Sequence, residues 1–238
     1  TAPVWPQVAD AVAEVMRSTG NPSSVHAFGR GARSSIEVAR EKIAKLINAK
    51  PSQVIFTSGG TEANSLALNQ MKSGCVLMSA VEHDSILKTD RSPELIPVSE
   101  DGSVDTEQIR NILLRCDGPA FITVMLANNE TGVLQPVETI SILAKEQGVL
   151  SHCDAVQAVG KVNVDWQSLG VNMMSISAHK LGGPQGIGAL IIDEEMQFSP
   201  LIRGGGQERK RRAGTENVAG IVGFGVAAEL VLDRLGQM

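Results

Sequence analysis

Short apolar runs alternate with longer amphipathic stretches along most of this 238-residue chain. Six of the runs are rich in β-branched and aliphatic residues and have the length of buried strands. The predicted strands are 54–57, 75–79, 120–127, 149–153, 172–177 and 188–192. Four stretches beside them repeat apolar residues at helical spacing. The predicted helices are 30–48, 61–71, 105–116 and 136–147.

The first of these helices shows the pattern most completely. Its apolar stripe, which is predicted to face the core, consists of Ile36, Ala39, Ile43, Leu46 and Ile47. Its polar positions, which are predicted to face solvent, are Glu37, Arg40, Glu41 and Lys45. A helix with this pattern lies on a domain with one side buried and the other in water.

Strand, helix and strand in repeated alternation predict an α/β fold whose mostly parallel sheet is covered by helices on both faces. In sheets of this kind, ligands bind outside the carboxyl ends of the strands. The segments that directly follow the predicted strands are therefore where functional residues are expected.

Composition narrows the class of protein without identifying it. Hydrophobic residues make up 42% of the chain and charged residues 20%, which is typical of a globular domain with a sizeable core. The net charge of −5 gives no broad basic surface, so nucleic acid is not an expected partner. No apolar run approaches the roughly 18 residues that span a bilayer, and no secretory signal is visible. We expect a cytoplasmic protein outside any membrane, and the missing initiator Met suggests a start that is either trimmed or incompletely observed.

The chain has three cysteines, which is an odd number without the spacing of a disulfide framework. Cys75 and Cys153 lie in predicted strands, and Cys116 ends a predicted helix. We expect all three to be free thiols in a reducing compartment.

Glycines followed by a threonine come after the first predicted strand, in the sequence Ser58-Gly59-Gly60-Thr61. Free backbone N–H groups at a helix start bind anions, and the Thr61 hydroxyl adds a donor. The alternative is a tight turn in which Thr61 caps the helix. The segment lacks the Lys of a nucleotide-binding loop and the full dinucleotide fingerprint, so neither nucleotide motif is met.

Polar residues also follow the second and third predicted strands. His83 is either a surface residue or a ring that stacks on an aromatic cofactor. Asn128 and Asn129 are either turn formers or donors to a cofactor hydroxyl or a substrate carboxylate. The sequence leaves both pairs of alternatives open.

Two charged residues at later strand ends indicate more specific chemistry. Asp154 either caps a helix or holds a heterocyclic nitrogen protonated, which would make the ring an electron sink. Lys180 leaves a buried strand beside Ser177 and His179, as expected of a lysine that forms a Schiff base. The basic segment 203–217 is either a solvated loop or an anion site near Thr215.

Taken in order, these motifs resemble those of the cysteine desulfurases of iron–sulfur cluster assembly. The resemblance extends over essentially the whole chain and includes the segment 20–26. The matching segments are Ser-Gly-Gly-Thr-Glu at 58–62, Glu-His at 82–83, Asn-Asn-Glu-Thr-Gly at 128–132, Asp-Ala-Val-Gln at 154–157, Ser-Ala-His-Lys at 177–180 and Arg-Ala-Gly-Thr at 212–215. Six motifs in one order are far more specific than any one of them.

The resemblance implies that residues 1–238 are the large domain of a fold-type I enzyme dependent on pyridoxal 5′-phosphate (PLP). Its mostly parallel sheet would have seven strands in a three-layer αβα arrangement. Lys180 would carry PLP, His83 would stack on its ring and shuttle protons, and Asp154 would pair with the ring nitrogen. The other implied contacts are Gln157 and Asn129 near the ring hydroxyl, Gly60, Thr61, Ser177 and His179 at the phosphate, and Thr215 at the phosphate of the neighbouring subunit.

The resemblance also implies a homodimer that converts L-cysteine to L-alanine, forms a persulfide and serves a sulfur-acceptor or scaffold protein. The sulfur-accepting cysteine and a carboxylate-binding arginine would lie in a smaller C-terminal domain beyond Met238, against which residues 1–20 are expected to pack. Two alternatives stay open. One is a related enzyme, such as a selenocysteine lyase or an aminotransferase, and the other is a non-catalytic subunit with this fold.

Overall fold

The computed structural model describes residues 1–18, 20–116 and 118–236. The sheet in this part of the chain has seven strands in the order β1-β7-β6-β5-β4-β2-β3. The strands are β1 (Val54–Thr57), β2 (Cys75–Ser79), β3 (Glu94–Ile96), β4 (Ala120–Thr123), β5 (Leu150–Asp154), β6 (Met173–Ser177) and β7 (Gly188–Ile192). β7 pairs antiparallel with β1 and β6, and the other neighbours pair parallel. The predicted seven-stranded, mostly parallel sheet is therefore confirmed.

Helices cover both faces of this sheet, as predicted. The described helices are α1 (Pro6–Met16), α2 (Ala27–Leu46), α3 (Gly60–Leu68), α4 (Asp84–Leu87), α5 (Thr106–Leu113), α6 (Val137–Glu146), α7 (Trp166–Leu169) and α8 (Val218–Leu235). One hydrophobic cluster joins α2, α5, α6 and α8 to one face of the sheet, and α3 and α4 contribute to a second cluster on the other face. Within the described ranges, no helix is long and apolar enough to cross a bilayer.

Several element boundaries differ from the prediction. The strand predicted at 120–127 ends at Thr123, and residues 124–127 continue irregularly toward the edge where the candidate residues lie. The elements β3, α1, α4, α7 and α8 were not predicted. In the N-terminal segment, α1 packs on α8 and Val8 is buried.

Arg40 was predicted to face solvent, and this is wrong. Arg40 is only 2% exposed, and its guanidinium forms a bidentate ion pair with buried Glu208 at 2.8 and 3.0 Å. Arg40 also donates to the Val54 carbonyl and lies over the Phe56 ring, 4.6 Å from the ring centroid. The pair ties the basic segment 203–217 to α2 and β1.

The expectation of three free thiols is also wrong. Cys75 at the start of β2 and Cys116 after α5 form a disulfide, with their Cα atoms 6.0 Å apart. The connection from α5 to β4 brings the two positions together at the end of the sheet where β2 and β4 begin. Cys153, as expected, is a free thiol in the core among the described residues.

Candidate active site

A cavity of about 260 Å³ opens at the edge of the sheet where the parallel strands end. All strands except β7 run in the same direction. The carboxyl ends of β1, β2, β4, β5 and β6 therefore meet at this edge. Eight predicted site residues line the cavity, and they are Gly60, Thr61, His83, Asn129, Asp154, Gln157, His179 and Lys180. Four lining residues were not predicted, and they are Asn64, Ser85, Met125 and Val156.

The turn from β1 into α3 brings backbone rather than side chains to the cavity. The helix begins at Gly60 with Gly59 in the capping position, so Thr61 is not the helix cap. A Cβ on Gly60 would lie 2.9 Å from Val156 Cγ2, so any larger residue there would require Val156 to shift. Among the described residues, no side chain caps α3, so its first N–H groups have no intrahelical partner, as is typical of anion-binding helix starts.

Asp154 ends β5 with its carboxylate almost fully buried at the floor of the cavity. Oδ1 accepts from the Val156 N–H at 2.9 Å, and Oδ2 accepts from the Asn64 amide at 2.7 Å. Burial raises the pKa of Asp154, while these hydrogen bonds and the positive charges of His83 and Lys180 act against the rise. In the part of the chain that the structure describes, no helix begins at Asp154: its carboxylate closes a turn at the end of β5 and lines the cavity.

Lys180 follows β6 at the end of a short 3₁₀ turn (Ala178–Lys180) and is half-buried in the wall of the cavity. The N-terminal segment holds the loop around it: the Trp5 indole donates to the Leu181 carbonyl at 3.1 Å, and the Trp5 N–H donates to Gly182. Gly182 has a φ of +86°, and a Cβ there would overlap the indole ring. The turn that bears Lys180 is therefore held in place by hydrogen bonds from Trp5.

His83 belongs to a chain of hydrogen bonds that the sequence analysis missed. Its Nδ1 lies 2.8 Å from Ser85 Oγ, and Ser85 Oγ lies 2.9 Å from the Asn64 amide nitrogen, which also reaches Asp154. A signal for Asn64 existed in the sequence, because it is a polar residue among the buried positions Ala63, Leu66 and Ala67 of α3. Ser85, two residues after His83, carries no such signal.

Asn128 and Asn129 occupy different structural positions. Asn128 shapes the turn, since its Oδ1 accepts from the N–H groups of Glu130 and Thr131, both at 2.9 Å. Asn129 lines the cavity.

Gln157 is fixed by a neighbouring lysine. Lys161 Nζ donates to the main-chain oxygen of Gln157 at 2.7 Å and to its Oε1 at 3.1 Å. These bonds occupy the oxygen of the amide and leave its NH₂ group as the donor toward the cavity. Burial and the nearby charge of Lys180 lower the pKa of Lys161, and the same two causes lower the pKa of His179.

Ser177 and Thr215 do not line this cavity. Ser177 is 2% exposed just behind it, its Cβ 3.7 Å from the place that a Cβ on Gly60 would take. Thr215 lines a separate cavity of about 140 Å³ beside Ser58 and Arg212. Arg212 forms a bidentate pair with Glu62 at 2.8 and 3.2 Å, so the segment 203–217 is braced on α3.

Comparisons with known proteins show which family the chain resembles. The aminotransferase class-V family model matches residues 1–237. The chain is 44% identical over 98% of its length to cysteine desulfurase IscS of Dictyoglomus turgidum, and 44% identical over 97% to a cysteine desulfurase of Enterobacter agglomerans. It spans 62% and 60%, respectively, of the length of these relatives.

Solved structures show the same likeness. A NifS-like protein from Rickettsia africae superposes with a TM-score of 0.95 at 36% identity, covering 100% of this chain and 68% of that one. The structure of SspA in complex with cysteine superposes with a TM-score of 0.89 at 33% identity, covering 96% of this chain and 70% of that one.

Proposed function

We propose, starting from the fact that this chain belongs to the aminotransferase class-V family, that it is the cofactor-binding part of a PLP-dependent cysteine desulfurase. The whole enzyme would convert L-cysteine to L-alanine and pass the sulfur to one of its own cysteines as a persulfide. One observation carries the proposal: the amine of Lys180 and the buried carboxylate of Asp154 line one cavity at the carboxyl edge of the sheet. The cysteine desulfurases among the relatives and the cysteine-bound SspA structure support the choice of substrate.

The residues at the edge of the cavity fit the phosphate of PLP. Ser177 Oγ is buried and has no hydrogen-bond partner in the part of the chain that the structure describes. It lies beside Gly60, where α3 begins with free N–H groups. A phosphate there would give the orphaned hydroxyl an acceptor and would lie at the positive end of a helix dipole. Thr61 and His179, which line the same cavity, would complete the phosphate site.

The residues around the ring fit as well. When bound, PLP supplies an aldehyde that condenses with an amine and a ring that stores the electron pair released at the α-carbon of the substrate. Lys180 supplies the amine, and Asp154 holds a proton on the ring nitrogen. His83 would lie against the ring and move protons, while Gln157 and Asn129 would donate to the ring hydroxyl side.

The proposal extends to partners that lie outside this chain. In a homodimer, Thr215 would reach the phosphate of the neighbouring subunit, which accounts for its distance from the cavity of its own subunit. A sulfur-acceptor or scaffold protein would take the persulfide sulfur, and the setting would be the cytoplasm.

Absorption spectroscopy tests the proposal. Adding PLP to the chain should produce a visible band that is absent in Lys180→Ala and retained in Lys145→Ala, which removes an exposed lysine from α6. A longer version that includes the C-terminal domain should then release L-alanine from L-cysteine. A band that survives in Lys180→Ala rejects this lysine as the anchor, and alanine release from a different amino acid alone rejects the substrate.

A further inference from the structure

The direction of each hydrogen bond around Asn64 is fixed by its partners. The Asn64 amide nitrogen lies 2.7 Å from Asp154 Oδ2 and 2.9 Å from Ser85 Oγ. A carboxylate only accepts hydrogen bonds, so the NH₂ side of the amide must face Asp154. The same nitrogen uses its second hydrogen on Ser85, and the Ser85 hydroxyl therefore accepts from Asn64.

The Ser85 hydroxyl keeps its own hydrogen for His83. Its Oγ lies 2.8 Å from His83 Nδ1, and the backbone N–H of Ser85 donates to the same nitrogen at 3.1 Å. An N–H group cannot accept, so Nδ1 must carry a lone pair. In a neutral imidazole one nitrogen is protonated and the other accepts, which puts the proton of neutral His83 on Nε2.

Local helix capping accounts for only the backbone bond in this arrangement. His83 is the N-cap of α4, and the bond from the Ser85 N–H is the one that capping requires. The bonds through Ser85 Oγ and Asn64 add nothing to the cap. They connect α4 to α3 and to the end of β5, across 21 and 90 positions of the chain.

We propose that Asn64 and Ser85 are positioning residues that hold His83 as the Nε2–H tautomer. The ring then offers a donor to a ligand in the cavity, and neutral His83 cannot take a proton at Nδ1 without breaking its bonds to Ser85. The Asn64 amide sets this direction and also binds Asp154, so His83, assigned to one face of the ring, and Asp154, assigned to its nitrogen, share one chain of hydrogen bonds. This inference rests on the proposed function, in which His83 serves the cofactor.

Nuclear magnetic resonance of the full chain labelled with ¹⁵N-histidine measures the tautomer directly. The chain has four histidines, and loss of one signal set in His83→Gln assigns His83. Wild-type protein should show Nε2–H as the dominant neutral form. Ser85→Ala should raise the ratio of Nδ1–H to Nε2–H by about 2- to 10-fold, as expected for loss of one hydrogen bond.

Asn64→Asp should raise the ratio further, because a carboxylate at position 64 would accept the Ser85 hydroxyl hydrogen and turn it away from His83. Ser85→Thr, which keeps the hydroxyl, should preserve the wild-type ratio. Ser35→Ala is the matched control, since the Ser35 hydroxyl bonds to Gly31 in its own helix.

Two results would overturn the inference: a dominant Nδ1–H form in the wild type, or a wild-type ratio in folded Ser85→Ala. If Asn64→Asp does not fold, Ser85→Ala decides alone. The measurement needs no cofactor, so its outcome is independent of whether Lys180 captures PLP. Failure of the visible band would reject the proposed function and leave the tautomer result standing.

Discussion

Glu82 and Asp154 are two buried carboxyl groups close enough to influence each other's charge. Glu82 Oε1 accepts from the Met125 N–H at 2.5 Å, and its Oε2 has no partner among the described residues. Burial, with the negative charge of Asp154, raises the pKa of Glu82 well above its usual 4.5. Asp154 receives two hydrogen bonds from N–H donors, which favour its charged form. Of the two, Glu82 is therefore the acid that keeps its proton.

Glu82→Gln tests this assignment through the pH dependence of stability. Because the folded pKa of Glu82 is raised, the unfolded state loses the proton first as pH rises above about 4.5. The wild type should then lose stability toward neutral pH, and Glu82→Gln should not show that loss. In urea unfolding at several pH values, the free energy of unfolding of the variant relative to the wild type should increase as pH rises. A difference in free energy of unfolding that is the same at about pH 4 and about pH 7, on either side of the usual pKa, contradicts the assignment.

Ser177 supports a second prediction at this scale. Ser177→Ala removes a hydroxyl that has no partner within the described structure, so the free energy of unfolding should stay level or rise slightly. The affinity for PLP should fall by roughly 10-fold or more, as expected for loss of a hydrogen bond to a charged phosphate.

The matched control lies two residues earlier on the same strand. Ser175 Oγ bonds to His152 Nε2 at 2.9 Å, and burial lowers the pKa of His152 to about 3, so that pair is neutral and structural. Ser175→Ala should cost about 1 kcal/mol of stability and leave PLP affinity unchanged. If Ser177→Ala loses stability and keeps its affinity, the hydroxyl is structural as well.

At the scale of elements, the sequence pattern predicted strand boundaries best where a buried apolar run is bounded by glycine or by small polar residues. β1, β2 and β7 were predicted at both ends for this reason. β3 was missed because only Ile96 of its three residues is buried. α8 was missed because its mean hydropathy is high and it contains three glycines. Both features obscure the alternation of apolar and polar residues at helical spacing.

The glycines of α8 have a physical reason that only the packing shows. A Cβ on Gly223 would lie 2.6 Å from Val12 on α1, and one on Gly225 would lie 2.7 Å from Ala39 on α2. Close approach of three helices requires the small residues, although they weaken the propensity for helix. The burial of Arg40 could not be predicted either, since its partner Glu208 is 168 positions away.

The Cys75–Cys116 disulfide yields a prediction for the α5–β4 connection. It closes a loop of 41 positions, so Cys116→Ser should lower the free energy of unfolding by about 2–4 kcal/mol under non-reducing conditions. With a reductant present, the variant and the wild type should unfold at similar denaturant concentrations. Equal stability without reductant, together with two thiols titrated in the native wild type, contradicts the disulfide.

At the scale of the whole molecule, the site follows from strand direction. Six strands point one way and β7 points the other, so loops that are distant in sequence gather at one edge of the sheet. The order of the motifs predicted this gathering, because ligand sites of parallel sheets lie at the carboxyl ends of strands. The sequence could not show that Thr215 lies in a different cavity, since no periodic pattern places the segment 203–217.

The most direct test of the central claim is chemical mapping of the lysine that captures PLP. The chain is incubated with PLP, treated with borohydride, digested and examined by mass spectrometry. We predict a pyridoxyl group on Lys180, and a clear reduction of that labelling in Asp154→Ala. Labelling spread over surface lysines such as Lys145, with Lys180 unmodified, would contradict it.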